Sequence, residues 1–100
     1  MREGRQRLDK WLWFARFART RTLAAKLVTQ GAVRVNGVRT EAPARLVGAG
    51  DVLTIAAQHV TAVVRVLAAG ERRGPAPEAR LLYEDVGRDD AALVTSRTSG

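Results

Sequence analysis

Cysteine is absent from this chain, and its 100 residues include one histidine, three prolines and five aromatics. With no cysteine there is no disulfide framework, and with His59 alone there is no Cys/His zinc site. His59 has no nucleophile or acid partner in its neighbourhood and reads as a surface-loop histidine. No apolar run approaches the roughly 18 residues needed to cross a bilayer. The opening segment MREGRQRLDKW is charged, with no apolar stretch and no small-residue cleavage site, so a secretory signal is not expected and a cytoplasmic location is. A phosphate-cradling loop with Lys-Ser/Thr is missing too, since GERRG (residues 70–74) lacks the lysine. Glu78, Glu84, Asp85, Asp89 and Asp90 gather towards the C-terminal end as a solvating edge, without the look of a paired acid/base site. The expectation is therefore no catalytic residue, no metal, no cofactor, no small-molecule substrate and no membrane partner.

What is present is positive charge, unevenly placed. The formal net charge is +7. Residues 1–50 carry eleven cations against three acids, whereas residues 51–100 carry six arginines against seven acids. Such asymmetry points to a polyanionic partner. Nine of the eleven N-terminal cations are arginine, the side chain suited to bidentate phosphate contacts and to stacking on bases. A GC-rich genome would favour arginine over lysine, but it would not keep acids out of the first half.

The patterning predicts an α+β fold. Residues 1–6 read as a flexible basic arm. Leu8, Trp11, Leu12, Ala15 and Ala18 share one broad arc, predicting a helix over 8–18 that is buried on more than one side. Thr20 or Thr22 suits the N-cap of a second helix over about 21–30, with Leu23, Ala24, Leu27 and Val28 as its apolar stripe and Gly31 as its αL terminator. Residues 32–40, AVRVNGVRT, spell a hairpin, because the tight turn at Asn36-Gly37 needs positive φ at both positions. A loop follows through TEAPARLVGAGD, then strands at Val52–Ala56 and about Val60–Leu67. Pro77 before Glu78 suits a short helix start in EARLLYED, which otherwise reads as an edge segment. Residues 86–100 lack periodicity and read as a disordered tail. The expected core is Leu8, Leu12, Leu23, Leu27, Val28, Val33, Val35, Leu53 and Ile55, together with Trp11 and Phe14. Trp13 and Phe17 are equally suited to core packing and to stacking on unpaired bases.

The hairpin poses its own question, because each arm carries an arginine on the side away from the valines. Arg7 precedes the first helix, and Arg16, Arg19, Thr20 and Arg21 surround the turn into the second. The N-terminus of that second helix is a natural anion site. Arg34 and the hairpin tip extend this set if the hairpin packs beside the helix turn. Such a face supplies salt-dependent backbone affinity and little base readout.

The stretch RLDKWLWFARFARTRTLAAKLVTQGAVRVNG, residues 7–37, resembles the RNA-binding domain family of small-subunit ribosomal protein S-four. Arg7-Leu8-Asp9, Thr20-Arg21, Gly31, and Val33, Val35, Asn36 and Gly37 match that family's αL motif, and GDVLTI at 50–55 matches the strand that follows. LDKWLWFARFARTR and RRGPAPEARLLYED look most like its ribosome-associated bacterial heat-shock branch. The resemblance implies a two-helix αL RNA-binding motif packed on a small antiparallel β-sheet over residues 7–85. It also implies binding to ribosomal RNA on free large subunits stalled with a nascent chain on transfer RNA. With no catalytic constellation in the residues, the chain is expected to act as a non-catalytic protein and as a monomer. The implied contacts are Arg7, Lys10, Arg16, Arg19, Thr20, Arg21, Arg34, Asn36 and Gly37, with Lys26 and Arg39 at the edge. Ala42 stands before Pro43 where the family often has lysine, so Arg39 or Arg45 supplies that charge. The mixed tail replaces the longer basic extension of the heat-shock proteins, implying a weaker ribosome contact. A general RNA chaperone, a ribosome-assembly factor, a non-catalytic subunit of an RNA-modifying enzyme and a DNA binder remain as alternatives. For the last, the second helix offers only Lys26 and Gln30 as long polar readers.

Overall fold

The computed structural model describes residues 5–56, 61–71 and 73–86. The elements along the chain are β1 (Gln6–Arg7), α1 (Leu8–Phe14), α2 (Arg21–Thr29), β2 (Val33–Val35), β3 (Val38–Thr40), β4 (Leu46–Val47), β5 (Val52–Ala56), β6 (Thr61–Val66), α3 (Ala76–Ala79) and β7 (Tyr83–Asp85). A single 3-10 turn, Arg80–Leu82, joins the last two. Five strands form an antiparallel sheet in the order β3-β2-β5-β6-β7, and β1 and β4 form a separate two-stranded ribbon.

Period-two alternation explains the sheet. Val33, Val35, Leu53, Ile55, Val64 and Val66 all point to one face and are at most 2% exposed. Their register lines Val33 against Ile55 and Val35 against Leu53, with Leu53 in turn against Val64. On that face lie Leu8, Trp11 and Leu12 of α1 and Ala24 and Val28 of α2, closing one core. This is the α+β arrangement the alternation and helical periodicity imply.

Both helices end in the same device. Gly31 has φ +81°, and the N–H groups of Gly31 and Ala32 donate to the carbonyls of Val28 and Leu27. That is a Schellman termination at a glycine, as expected. α1 does the same without one. Arg16 takes φ +68°, its N–H donates to the Trp13 carbonyl, and the Phe17 N–H donates to the Leu12 carbonyl. α1 therefore stops at Phe14, four residues before the predicted end. A non-glycine residue in this region costs about 1 kcal/mol, offset here by the burial of Phe17 against the core.

Other expectations need correction. Gln6, assigned to the arm, pairs with Val47 and exchanges two side-chain hydrogen bonds with the backbone of Gly70, at 2.9 and 3.0 Å. The loop 40–51 contains β4, because Leu46-Val47 finds that same partner. EARLLYED is both alternatives in succession, a helical turn and then the edge strand β7 on β6. The Val86 N–H still donates to Val63, inside the segment read as tail. Leu23 is 45% exposed and Leu27 only partly buried, because α2 meets the core along Ala24 and Val28. The expectations for residues 1–4, for His59 and for residues 87–100 lie outside the described residues.

Candidate nucleic-acid interface

The Arg-Leu-Asp stretch is built around a buried carboxylate. Leu8 is fully buried, and the first-turn N–H groups of α1 are consumed by the loop after β3, with Leu8 donating to Arg45 (2.8 Å) and Asp9 to Pro43 (3.1 Å). Asp9, 4% exposed, is thereby held inside. Its oxygens accept a forked pair of hydrogen bonds from Arg7, Nε to Oδ1 and a terminal nitrogen to Oδ2, each 3.1 Å. Arg21 brings its Nε to 3.7 Å from the same Oδ2. Both guanidinium groups remain near half-exposed. A guanidinium carries five donors, so Arg7 keeps N–H groups for an outside ligand while one edge is pinned. Asp9 was not among the expected contacts. The available signal was a lone acid in the first turn of a helix amid eleven cations.

Arg21 also opens α2. Thr20, extended at φ −134°, is the N-cap, and its hydroxyl accepts from the Leu23 N–H at 3.0 Å. The amides of Arg21 and Thr22 have no intrahelical acceptor at that position, which leaves a dipole-assisted anion site. Arg19 is exposed just before the cap.

The hairpin delivers its arginines elsewhere. Arg34 and Arg39 are directly opposed across β2 and β3, on the face away from the valines. Like charges so placed repel, and Glu41 relieves part of this through an ion pair to Arg39 at 2.9 Å. The Arg39 guanidinium lies over Gly31, where a Cβ would collide with it. Arg39 thus sits at the C-terminal end of α2 and Arg21 at its start, about 13 Å apart along a nine-residue helix. The structure makes two basic centres, one at each end of α2.

Asn36 is exposed, yet its side chain is engaged by neighbours within the chain. At φ +52° it forms the tight turn with Gly37, at φ +85°. Its amide nitrogen donates to Asp51 (3.1 Å), its side-chain oxygen accepts from the Val52 N–H (2.9 Å), and its backbone N–H donates to the Val52 carbonyl (2.7 Å). Asp51 also accepts from the Gly48 N–H. Asn36→Ala is expected to cost about 2 kcal/mol through two lost hydrogen bonds and a disfavoured φ. Thermal melting checks this; an unchanged midpoint would mean the tip is held by its backbone alone.

The remaining candidates are scattered. Arg16 is exposed and donates to the Gly74 carbonyl at 3.0 Å. Lys10 lies over the Phe14 ring, 5.7 Å from its centroid. Lys26 is exposed on α2. Trp13 stacks on Phe14, and the Arg73 guanidinium lies 5.8 Å from its ring centroid, so neighbours within the fold cover much of the ring. Arg73, unmarked in the sequence, also donates to the carbonyls of Trp13 and Ala18 and braces the turn after α1. Among the described residues no group of His, Cys, Asp or Glu could hold a metal ion, and no helix is long and apolar enough to cross a membrane.

Comparison with known proteins places this geometry in context. Residues 6–53 match the S4 domain family model. Heat shock protein 15 of Escherichia coli (strain K12) is 46% identical over 79 residues, 79% of this chain and 59% of that protein. The small ribosomal subunit protein uS4 of Mycobacterium avium (strain 104) is 39% identical over 72 residues, 69% of this chain and 36% of that protein. The chain spans about three fifths of the length of the heat shock proteins it matches first. A structure of Vibrio cholerae heat shock protein 15, described as trimeric, superposes with a TM-score of 0.81 at 35% identity, covering 92% of each chain.

Proposed function

The chain belongs to the S4 domain family, alongside heat shock protein 15, and from that premise we propose that it is a non-catalytic cytoplasmic protein that binds ribosomal RNA. We read its target as the free large ribosomal subunit that holds a stalled nascent chain on transfer RNA, and its role as recycling or heat-shock quality control. The observation that carries the RNA-binding reading is the Asp9 clasp, which holds Arg7 and Arg21 half-exposed beside the N-terminus of α2. Arginines oriented before the ligand arrives lose less freedom on binding. One phosphate would sit at the Thr20–Arg21–Thr22 amides, flanked by Arg7 and Arg21. The second basic centre, Arg34 and Arg39, would take backbone further along the same strand. All these groups lie within one chain, so the monomer is the proposed binding unit.

The test is co-sedimentation of the purified protein with ribosomal particles on sucrose gradients across a salt series. Preference for free large subunits, falling gradually with salt, supports the reading; equal binding to every RNA reduces it to a general RNA chaperone. Arg21→Ala is expected to weaken binding about tenfold and lower the salt slope by about one. Its thermal midpoint should hardly move, because a 3.7 Å pair with a half-exposed arginine contributes about 0.5 kcal/mol. Unfolding without a specific binding defect would make Arg21 structural.

A further inference from the structure

One flank of α2 is more apolar than the core requires. Ala24 and Val28 serve the core, yet Leu23 and Leu27 lie to one side, with Leu23 45% exposed. These leucines, with Phe17, floor a groove of about 600 Å³. Arg19 and Lys26 stand on its rim, and Gln30 lines it as well. Leu23, Lys26, Leu27 and Gln30 follow i, i+3, i+4, i+7 spacing, so the groove runs along one helical face for about 10 Å. Its upper end is the residue before the Thr20 cap.

The lining decides the occupant. Both charged groups are cations and no acid is among them. A second copy of this chain carries seventeen cations against ten acids, so it complements two cations less well than a polyanion does. A contact between copies, as in the trimeric relative, is the competing outcome of the test below. An RNA strand carries the complementary charge, and only an unpaired stretch presents a flat apolar surface for the floor. Phe17 is backed by Trp11, ring centroids 6.1 Å apart, and by Tyr83 at 5.0 Å, so this wall is rigid. The Gln30 carboxamide offers a donor and an acceptor, as base-edge contacts need.

We infer that this groove is a pocket for one unpaired nucleobase, adjoining the phosphate site at the start of α2. The inference rests on the RNA-binding reading and deepens it: the surface selects single-stranded loops or bulges over uninterrupted duplex. Phosphates flanking the base meet Arg19 and Lys26. Its apolar face lies on Phe17, Leu23 and Leu27.

The test compares two fluorescein-labelled RNAs sharing one stem, a hairpin with an unpaired loop and the fully paired duplex, binding to wild type and Leu23→Ser. Leu23 lies off the core, so the variant should melt like wild type. The wild type is expected to prefer the loop RNA, and Leu23→Ser to lose about five- to thirty-fold on the loop RNA alone, the worth of covering the exposed part of one leucine side chain with a base. With 2-aminopurine in the loop, wild-type binding should change its fluorescence and Leu23→Ser should not. Equal affinity for both RNAs with a neutral variant overturns the pocket and leaves the RNA-binding reading intact. If neither RNA binds at low salt, that underlying reading fails and the pocket falls with it. A variant that changes only the oligomeric state makes the groove a contact between copies, which also overturns the inference.

Discussion

Alanine in place of Trp11 is expected to cost about 4 kcal/mol, a large share of the roughly 5–15 kcal/mol that stabilises a domain this size. The side chain is fully buried, and its indole N–H donates to the Ala68 carbonyl at 2.9 Å. It packs against Phe17 and, edge-on, against Tyr83, with centroids 6.1 and 6.2 Å away. Those contacts tie α1 to the turn after it and to β7, so one deletion loosens three parts of the chain. Trp11→Phe keeps much of the volume and loses the donor. Ala68 is exposed, so water can replace that bond, and the expected cost is about 1–2 kcal/mol. Urea unfolding followed through the fluorescence of the remaining Trp13 measures both. A loss below about 1.5 kcal/mol for the alanine variant would mean the aromatic cluster is not the centre of the core.

Asp9→Asn is expected to weaken RNA binding about tenfold, although it removes a negative charge from a basic surface. Simple charge counting predicts tighter binding. The clasp predicts the reverse. The Asp9 carboxylate holds one edge of Arg7 and draws Arg21 towards it, and freeing two such side chains adds about 0.5–1.5 kcal/mol each to the cost of fixing them on RNA. The loss should shrink in an Arg21→Ala background, since one of the two groups is then gone. The folded state is expected to lose only about 1 kcal/mol, because both arginines regain water. Fluorescence anisotropy at two salt concentrations, with a melt of each variant, separates the cases. Tighter or equal binding by a folded Asp9→Asn protein would remove Asp9 from the site.

Local chemistry made much of the architecture legible. Alternation at Val33-Val35 and Leu53-Ile55 requires a one-faced sheet. Asn36-Gly37 requires a tight turn, and each has the positive φ it implies. Thr20 and Gly31 bracket the second helix at the expected ends. These are short-range signals, set by residues within a few positions of one another. The early end of α1 was not legible for the opposite reason. Arg16 carries no intrinsic preference for a left-handed conformation. It is held there by bonds to its own helix, by Arg73 bracing Trp13 and Ala18 from sixty and fifty-five positions away, and by burial of Phe17.

The same division runs through the candidate site. Composition and spacing alone determine that the first half of the chain is an arginine-rich surface carried on two helices and a hairpin, and the Arg-Leu-Asp, Thr-Arg and Val-x-Val-Asn-Gly elements identify its kind. Only the tertiary structure decides what each residue does with its charge. It buries Asp9 under the loop after β3, turning an ordinary acid into the anchor for Arg7 and Arg21. It commits Asn36 to Asp51 and Val52, and it parks Arg39 over Gly31 at the far end of α2. It leaves Leu23 outside a core that Ala24 and Val28 already fill. Hydrogen-bond competition and packing area are properties of partners distant in sequence, so no reading of residue types along the chain could apportion them.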